Sequence, residues 1–316
     1  MLNGSQAVSS HPVSGIVFLD KPLGWTSRQA VNEIVRLFSL PGQKRIKAGH
    51  GGTLDPLATG MLPILIGEAT RFAELGLNAE KIYQVTIDLS YQTETLDCEG
   101  EVLERFNTNI DESQFQQVLD GFAGEQLQVP PAYSAIRLEG KRAYAMARKG
   151  EEVEIPPRLI TIFDISLLDF SFPKATFEVR CSKGTYIRSL ARDIGKKLAM
   201  GGCVTTLHRL STGGWPEAMM VSFENLSENK QQCVMPLAQW LRNYPRQELS
   251  SDQARRFVQG QRIQLDGQKP HADGSCERVA VFADQNLLGT GDLKPGMRWI
   301  VLHPARILPS AQEMFS

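Results

Sequence analysis

The apolar residues of this chain come only in short runs; among the longest is Met61–Ile66. A run of that length cannot cross a bilayer, so no transmembrane helix is expected. The hydrophobic material must therefore be buried by pattern rather than by length. Two patterns occur. Tyr83, Val85, Ile87 and Leu89 alternate with polar residues, which is a half-buried strand. Ile187, Leu190, Ala191, Ile194 and Leu198 recur at helical spacing within 185–200, which is an amphipathic helix. Ala30, Val31, Ile34, Val35 and Phe38 mark a second helix, capped by Thr26 or Ser27.

Mixed strands and helices over 316 residues predict two domains, or one large domain with an appendage. With 42% hydrophobic and 22% charged residues, a disordered chain, a coiled coil and a collagen are excluded. Strands are expected at 16–19, 61–66, 81–89, 101–106, 159–170, 175–181 and 203–212, with a helix capped by Asp111. The glycine- and threonine-rich stretch Gly49–Gly60 is expected to be a loop. Proline pairs at 130–131 and 156–157 bracket what looks like an inserted element, with a hairpin turning near Glu139-Gly140 and a short basic helix over 142–149. Pro236–Pro245 is expected to be a junction. Beyond it, a helix and four short strands suggest a small β-rich appendage, about the smallest size that folds alone.

Five widely spaced cysteines without a CxxC predict no disulfide framework and a reducing, cytoplasmic setting. No histidine pair or Cys/His cluster suggests a metal. The N-terminus is polar and does not read as a secretory signal. The net charge of −1 hides an asymmetry. Residues 74–128 hold twelve acidic and two basic residues, whereas 180–210 hold seven basic and one acidic. Lys141, Arg142, Arg148 and Lys149 form a second basic group. Such groups fit a polyanion partner, although on charge alone solvated helix faces explain them better.

Asp55 lies in GHGGTLDPLATG (Gly49–Gly60), on a loop between two apolar elements, where a nucleophile or base can be held. From composition alone, a capping Asp in an ordinary connector is the favoured reading. The segment lacks the GK[ST] ending of a phosphate loop. Arg188 could belong to an exposed ladder with Arg192 and Lys196, and Tyr83 and Leu207 could be plain core residues.

The order of motifs changes this weighting. LDKPLGWTS (Leu19–Ser27), GHGGTLDPLATGML, KIYQ (Lys81–Gln84), SAIRLEGKRAYAMARKGEEVE (Ser134–Glu154), CSKGTYIRSLARDIGKKL (Cys181–Leu198) and LHRLSTGGW (Leu207–Trp215) together resemble the tRNA pseudouridine-55 synthases of the TruB type. The resemblance covers nearly the whole chain. It implies an α+β catalytic domain on a large mixed, mainly antiparallel sheet over 15–244, after a flexible N-terminus at 1–14. A small PUA-like β-barrel that binds RNA follows at 245–316. It implies isomerisation of a uridine in the tRNA T arm, with no cofactor, metal, membrane or obligate protein partner. A tRNA-folding chaperone and a synthase acting on another RNA are the competing readings.

Residue by residue, the resemblance makes Asp55 catalytic and puts Arg188 beside it; an adjacent guanidinium favours a charged carboxylate. Tyr83 would stack on the extruded base, with Tyr186 and Leu207 lining its pocket and His50 near the flipped nucleotides. Lys141, Arg142, Arg148, Lys149, Arg192 and Lys196 are candidate contacts to the RNA backbone. Lys21 and Pro22 would shape the pocket floor. The insert at 130–157 resembles the RNA clamp of the stand-alone enzymes, which act without guide RNA. Two positions depart from the family pattern. Gly51 replaces a usual Thr, suggesting a more flexible loop. His208 replaces a basic residue, suggesting a pH-dependent phosphate contact.

Overall fold

A computed structural model describes residues 13–134, 137–138, 141–142, 146, 155–268 and 275–315. Residues 1–12 of the expected N-terminal tail and most of the basic helix over 142–149 fall outside the described residues, as does the turn at 139–140. So do Arg148 and Lys149.

Among the described residues, twelve strands precede residue 213. In chain order they are β1 (Gly15–Lys21), β2 (Ala48–His50), β3 (Ala58–Ile66), β4 (Lys81–Asp88), β5 (Tyr91–Thr93) and β6 (Val102–Arg105). There follow β7 (Gly124–Gln128), β8 (Arg137–Leu138), β9 (Lys141–Arg142), β10 (Arg158–Ser171), β11 (Lys174–Cys181) and β12 (Cys203–Thr212). Eight of them build one sheet in the order β1-β3-β12-β4-β11-β10-β7, with β2 also on β3. Only the β12–β3 pair is parallel, so the sheet is mixed and mainly antiparallel, as the resemblance implies. β5–β6 and β8–β9 are separate small hairpins.

The period of two explains why β1 and β3 read as unbroken apolar runs. Val17 and Leu19 enter one core, while Ile16 and Phe18 enter another. Leu62 and Ile64 follow the first pair, and Met61 and Leu65 the second. Both faces of these strands are covered, so neither face needs polar residues.

The first core is closed by helices. Ser27–Phe38 starts with a reciprocal capping box between Thr26 and Gln29 and buries Ala30, Val31, Ile34, Val35 and Phe38. Glu112–Asp120 has the same device between Asp111 and Gln114. Ile187–Lys197 begins later than its apolar pattern predicts, because Tyr186 is its N-cap. The side chain of Gln128 satisfies that residue instead: Tyr186 N–H donates to its Oε1 at 2.8 Å, and its Nε2 donates to Tyr186 O at 3.0 Å.

The second core joins the sheet to the C-terminal part. There β13 (Arg246–Glu248), β14 (Ile263–Leu265), β15 (Glu277–Ala283), β16 (Asn286–Pro295) and β17 (Ile300–Ile307) pair in the order β13-β15-β16-β17-β14. β13 and the terminal helix Pro309–Phe315 add to the expected elements. The expected junction at 236–245 contains the helix Leu237–Trp240. Trp240 is buried, and its indole N–H donates to Phe72 O at 3.2 Å. The Phe18 ring lies 5.2 Å from Trp215 and 5.9 Å from Trp240. The appendage therefore shares its core with β1 and β3 across an apolar seam. No helix among the described residues is long and apolar enough to cross a membrane.

Candidate active site

Gly49–Gly60 is less of a loop than its composition predicts. Its first two residues end β2 and its last three begin β3, leaving a short bridge that carries Asp55. Every backbone carbonyl from residue 52 to 56 has a donor. Arg209 Nη2 donates to Gly52 O at 3.2 Å and Nη1 to Thr53 O at 3.4 Å. Ser27 Oγ donates to Leu54 O at 2.9 Å and accepts from Leu54 N–H at 2.8 Å. Ala58 N–H donates to Asp55 O at 3.1 Å, and Gly24 N–H to Pro56 O at 2.9 Å. A bridge whose carbonyls are all satisfied holds its side chains in one geometry.

Gly60 ends this segment because backbone passes too close for any other residue. A Cβ there would come 2.4 Å from Arg209 O, and its φ of 92° is left-handed. Gly51, expected to loosen the loop, is instead packed. Its added Cβ would meet Gly76 Cα at 3.3 Å and Pro63 Cβ at 3.4 Å. The departure from Thr reflects a close contact with the Ala73–Asn78 helix rather than flexibility.

Asp55 sits at a cleft of about 640 Å³ lined by Tyr83, Tyr186, Arg188, Leu207 and Arg209, among others. That volume suits a small organic group. Arg188 is buried, not on an exposed ladder: its Nε lies 2.9 Å from Asp55 Oδ2, with side-chain exposures of 6% and 34%. The approach is off the N–H axis, so this is an ion pair rather than an aligned hydrogen bond. Arg188 Nη1 also lies 3.5 Å from Asp97 Oδ2 and donates to Thr95 O at 2.9 Å. Its Nη2 donates to Tyr133 O at 3.0 Å. Asp97 is itself buried and accepts from Glu99 N–H at 3.2 Å. Sequence reasoning missed Asp97; its only signal was the acidic surplus of its region. Glu99, at the cleft rim, has its carboxyl held above the usual range by burial, then by Asp97 and Asp55.

Tyr83 on β4 pairs with Arg209 on β12, and its ring centroid is 6.0 Å from the guanidinium carbon. Burial pushes its phenol up from the ordinary value. Leu207 pairs with Ala58 across the parallel contact and belongs to both the core and the cleft lining. The Arg158 guanidinium carbon lies 5.1 Å from the centroid of the Tyr186 ring. Ser134 Oγ lines the cleft, buried and without a hydrogen-bond partner among the described residues, as if kept for a polar ligand.

Lys21 is fully buried; its ammonium donates to Pro22 O at 2.9 Å, Trp25 O at 2.6 Å and Pro56 O at 3.4 Å. That is the structural role its position suggests. Lys81 likewise gives all three donors to carbonyls, of Gly76, Leu77 and Ala79, at the C-terminal end of the Ala73–Asn78 helix. Burial, then Arg209, lowers its ammonium to about 8.

Three expected residues stand apart from the cleft. His50 does not line it, and burial, then Arg209 and Arg28, keep the imidazole below its usual range. Arg192 is committed to Asp193 at 2.8 Å and to Val129 O at 3.0 Å. Lys196 is exposed on the far side of its helix from the core. His208 Nδ1 lies 2.7 Å from Thr59 Oγ1 and Nε2 lies 3.5 Å from Glu217. It is tied to the protein, not free for phosphate.

Residues 39–187 match the TruB family pseudouridylate synthase N-terminal domain. Residues 188–244 match the tRNA pseudouridylate synthase B C-terminal domain, and 245–308 match the C-terminal region of pseudouridine synthase II TruB. The chain is 41% identical to the tRNA pseudouridine synthase B of Actinobacillus pleuropneumoniae over 94% of its own length and 96% of that protein. It is 42% identical to the tRNA pseudouridine synthase B of Zymomonas mobilis over 79% and 84%. A solved Cbf5-Nop10-Gar1 complex contains a chain of the same fold, with TM-score 0.69 and 24% identity over 93% of this chain and 84% of that one. An archaeal Nop10-Cbf5 complex gives 0.68 and 22% over 99% and 91%. Sequence kinship over nearly its whole length, a shared fold and a cleft built around one ion-paired aspartate lead to one conclusion: the chain belongs to the TruB family of pseudouridine synthases.

Proposed function

We propose that this protein isomerises uridine to pseudouridine at position 55, in the T arm of tRNA, without a guide RNA. The observation that carries the reading is Asp55: a carboxylate on a bridge whose carbonyls are all bonded, paired with Arg188, partly exposed at the floor of a cleft. Kinship supports the same reading, since proteins 41% and 42% identical to it are tRNA pseudouridine synthase B.

A uridine folded into the T loop is out of reach of a carboxylate at the cleft floor. The base is extruded, and Tyr83 supplies a stacking face with Leu207 and Tyr186 around it. The N1–C1′ bond breaks, the base turns in the cleft, and C5 bonds to C1′. Asp55 attacks the sugar or the base, or takes a sugar proton. In each case Arg188 and Asp97 hold it in register. The C5 proton must also move, and the Tyr83 hydroxyl is our choice of group for that transfer.

Residues 245–316 serve as a PUA-like RNA-binding domain, and the element at 130–157 clamps the T arm. Lys141, Arg142, Arg148 and Lys149 contact phosphates there. A tRNA-folding role can accompany the chemistry, in the cytoplasm where tRNA is matured. The test is incubation with an unmodified tRNA transcript followed by position-resolved mapping of pseudouridine. Modification confined to the T-arm uridine supports the proposal; modification elsewhere, or none, overturns it.

A further inference from the structure

Arg209 is the largest fully buried side chain described, 1% exposed, and no carboxylate among the described residues pairs with it. Its Nε donates to Met61 O at 2.6 Å, and its two terminal nitrogens donate to Gly52 O and Thr53 O. Those bonds use three of the five N–H groups a guanidinium carries. Lys81 lies beside it across Gly52: a Cβ on Gly52 would meet Arg209 Nη1 at 3.5 Å and Lys81 Cε at 3.7 Å. The Lys81 ammonium is also bonded only to carbonyls. Both residues line the cleft, next to Tyr83. One end of the cleft therefore holds two buried cations without an anion. The other holds Arg188 with Asp55 and Asp97. A buried cation without a counter-ion is unfavourable in the resting protein unless something negative arrives.

The reaction proposed above supplies that charge, and this inference rests on it. When N1–C1′ breaks, the bonding pair leaves with the base, which becomes an anion spread over N1, O2 and O4. C5 then bonds to C1′, the C5 proton departs and N1 takes up a proton, so the product is an isomer. Attack on C6 of the base would likewise put negative charge on O4. Every route passes through a base more negative than bound uridine. A fixed cation stabilises that state more than the ground state, which is the condition for raising the rate.

We propose that Arg209, with Lys81 beside it, forms an electropositive end of the cleft that stabilises the negative charge developing on the uracil ring. The competing role is mechanical, since Arg209 also pins the bridge that carries Asp55.

The experiment compares single-turnover loss of the N-glycosidic nucleoside in tRNA transcripts containing uridine or 5-fluorouridine. Fluorine withdraws electrons and makes the base a better leaving group, so it needs less help from a cation. It also blocks the final C5 deprotonation, which is why disappearance of the N-glycoside is read. Arg209→Met should slow uridine by about 100-fold or more and 5-fluorouridine about tenfold less, raising the ratio of the two rates about tenfold over wild type. Arg209→Lys, which keeps a charge, should hold the ratio within about twofold of wild type. The ratio does not depend on the fraction of enzyme folded, so a destabilised variant still answers. A ratio unchanged in Arg209→Met overturns the proposal and leaves Arg209 as an anchor of the bridge. A wild type that converts neither transcript overturns the functional reading itself, an outcome seen before any variant is made.

Discussion

Arg188 and Arg209 are buried in the walls of one cleft, yet they have opposite company. Arg188 faces two carboxylates, Asp55 and Asp97, and two carbonyls. Arg209 faces three carbonyls and an aromatic ring. The same side chain thus makes one end of the cleft an ion-paired site, one guanidinium to two carboxylates, and leaves the other positive. The lesson is that the role of a buried arginine is set by what partners it. An ion-paired end can hold a carboxylate in place; a positive end can receive charge from a ligand.

Breaking the ion-paired end should have the largest effect. Arg188→Met leaves Asp55 and Asp97 close together without their cation. Removing one partner of a buried pair costs about 3–5 kcal/mol, so the melting temperature should drop sharply. Single-turnover pseudouridine formation should drop by about a thousandfold or more. A variant with near-normal turnover would show that the ion pair is not needed to position Asp55.

A smaller effect is expected between the two ends, at Tyr83. Tyr83→Phe keeps the stacking face, worth about 1–3 kcal/mol, and should bind tRNA nearly as well as wild type. Turnover should fall by about 10²–10⁴-fold if the hydroxyl moves the C5 proton. A Tyr83→Phe enzyme with the wild-type single-turnover rate would reduce Tyr83 to a platform.

The smallest effect comes from discharging the positive end with alkali. Folding lowers the Lys81 ammonium from 10.5 to about 8. Between those values the unfolded chain binds more protons than the folded one, so stability attributable to Lys81 rises with pH. The penalty for the buried charge is present in full below about pH 8 and is relieved above it. Wild type should therefore gain stability relative to Lys81→Met between pH 7.5 and pH 9.5, in paired denaturant titrations. Turnover should move the other way, with wild-type single-turnover rates declining above about pH 8 as that end loses charge. A stability difference independent of pH would place the Lys81 proton outside this window.

The sequence made some of this legible and hid the rest for definite reasons. Alternation located β4, because each position of a strand commits its neighbours. The motif order pointed to Asp55, Arg188, Tyr83 and Leu207, and the structure brings these four to one cleft. Asp97 was illegible because it is one carboxylate among twelve in an acidic stretch, and only tertiary pairing with Arg188 singles it out. Arg209 was hidden inside a segment whose charges suggested phosphate contact. Its burial follows from the register of β12 between β3 and β4, which no local pattern reveals. Gly51 misled in the same way: a glycine suits a loose loop and a tight contact alike, and Gly76 decides between them. The seam at Trp240 was read as a junction because prolines mark both, whereas the partners that bury it, Phe18 and Phe72, lie far away in sequence.

The central claim is that Asp55 performs the chemistry while the rest of the cleft binds, orients and stabilises. Asp55→Asn tests it most directly, being nearly isosteric and leaving the bridge carbonyls and their donors untouched. Wild type and variant are compared at saturating enzyme on an unmodified tRNA transcript, with pseudouridine mapped by position and tRNA affinity measured in parallel. The account predicts affinity within about tenfold of wild type and no pseudouridine formed by the variant. Wild-type conversion of the T-arm uridine by Asp55→Asn would contradict it.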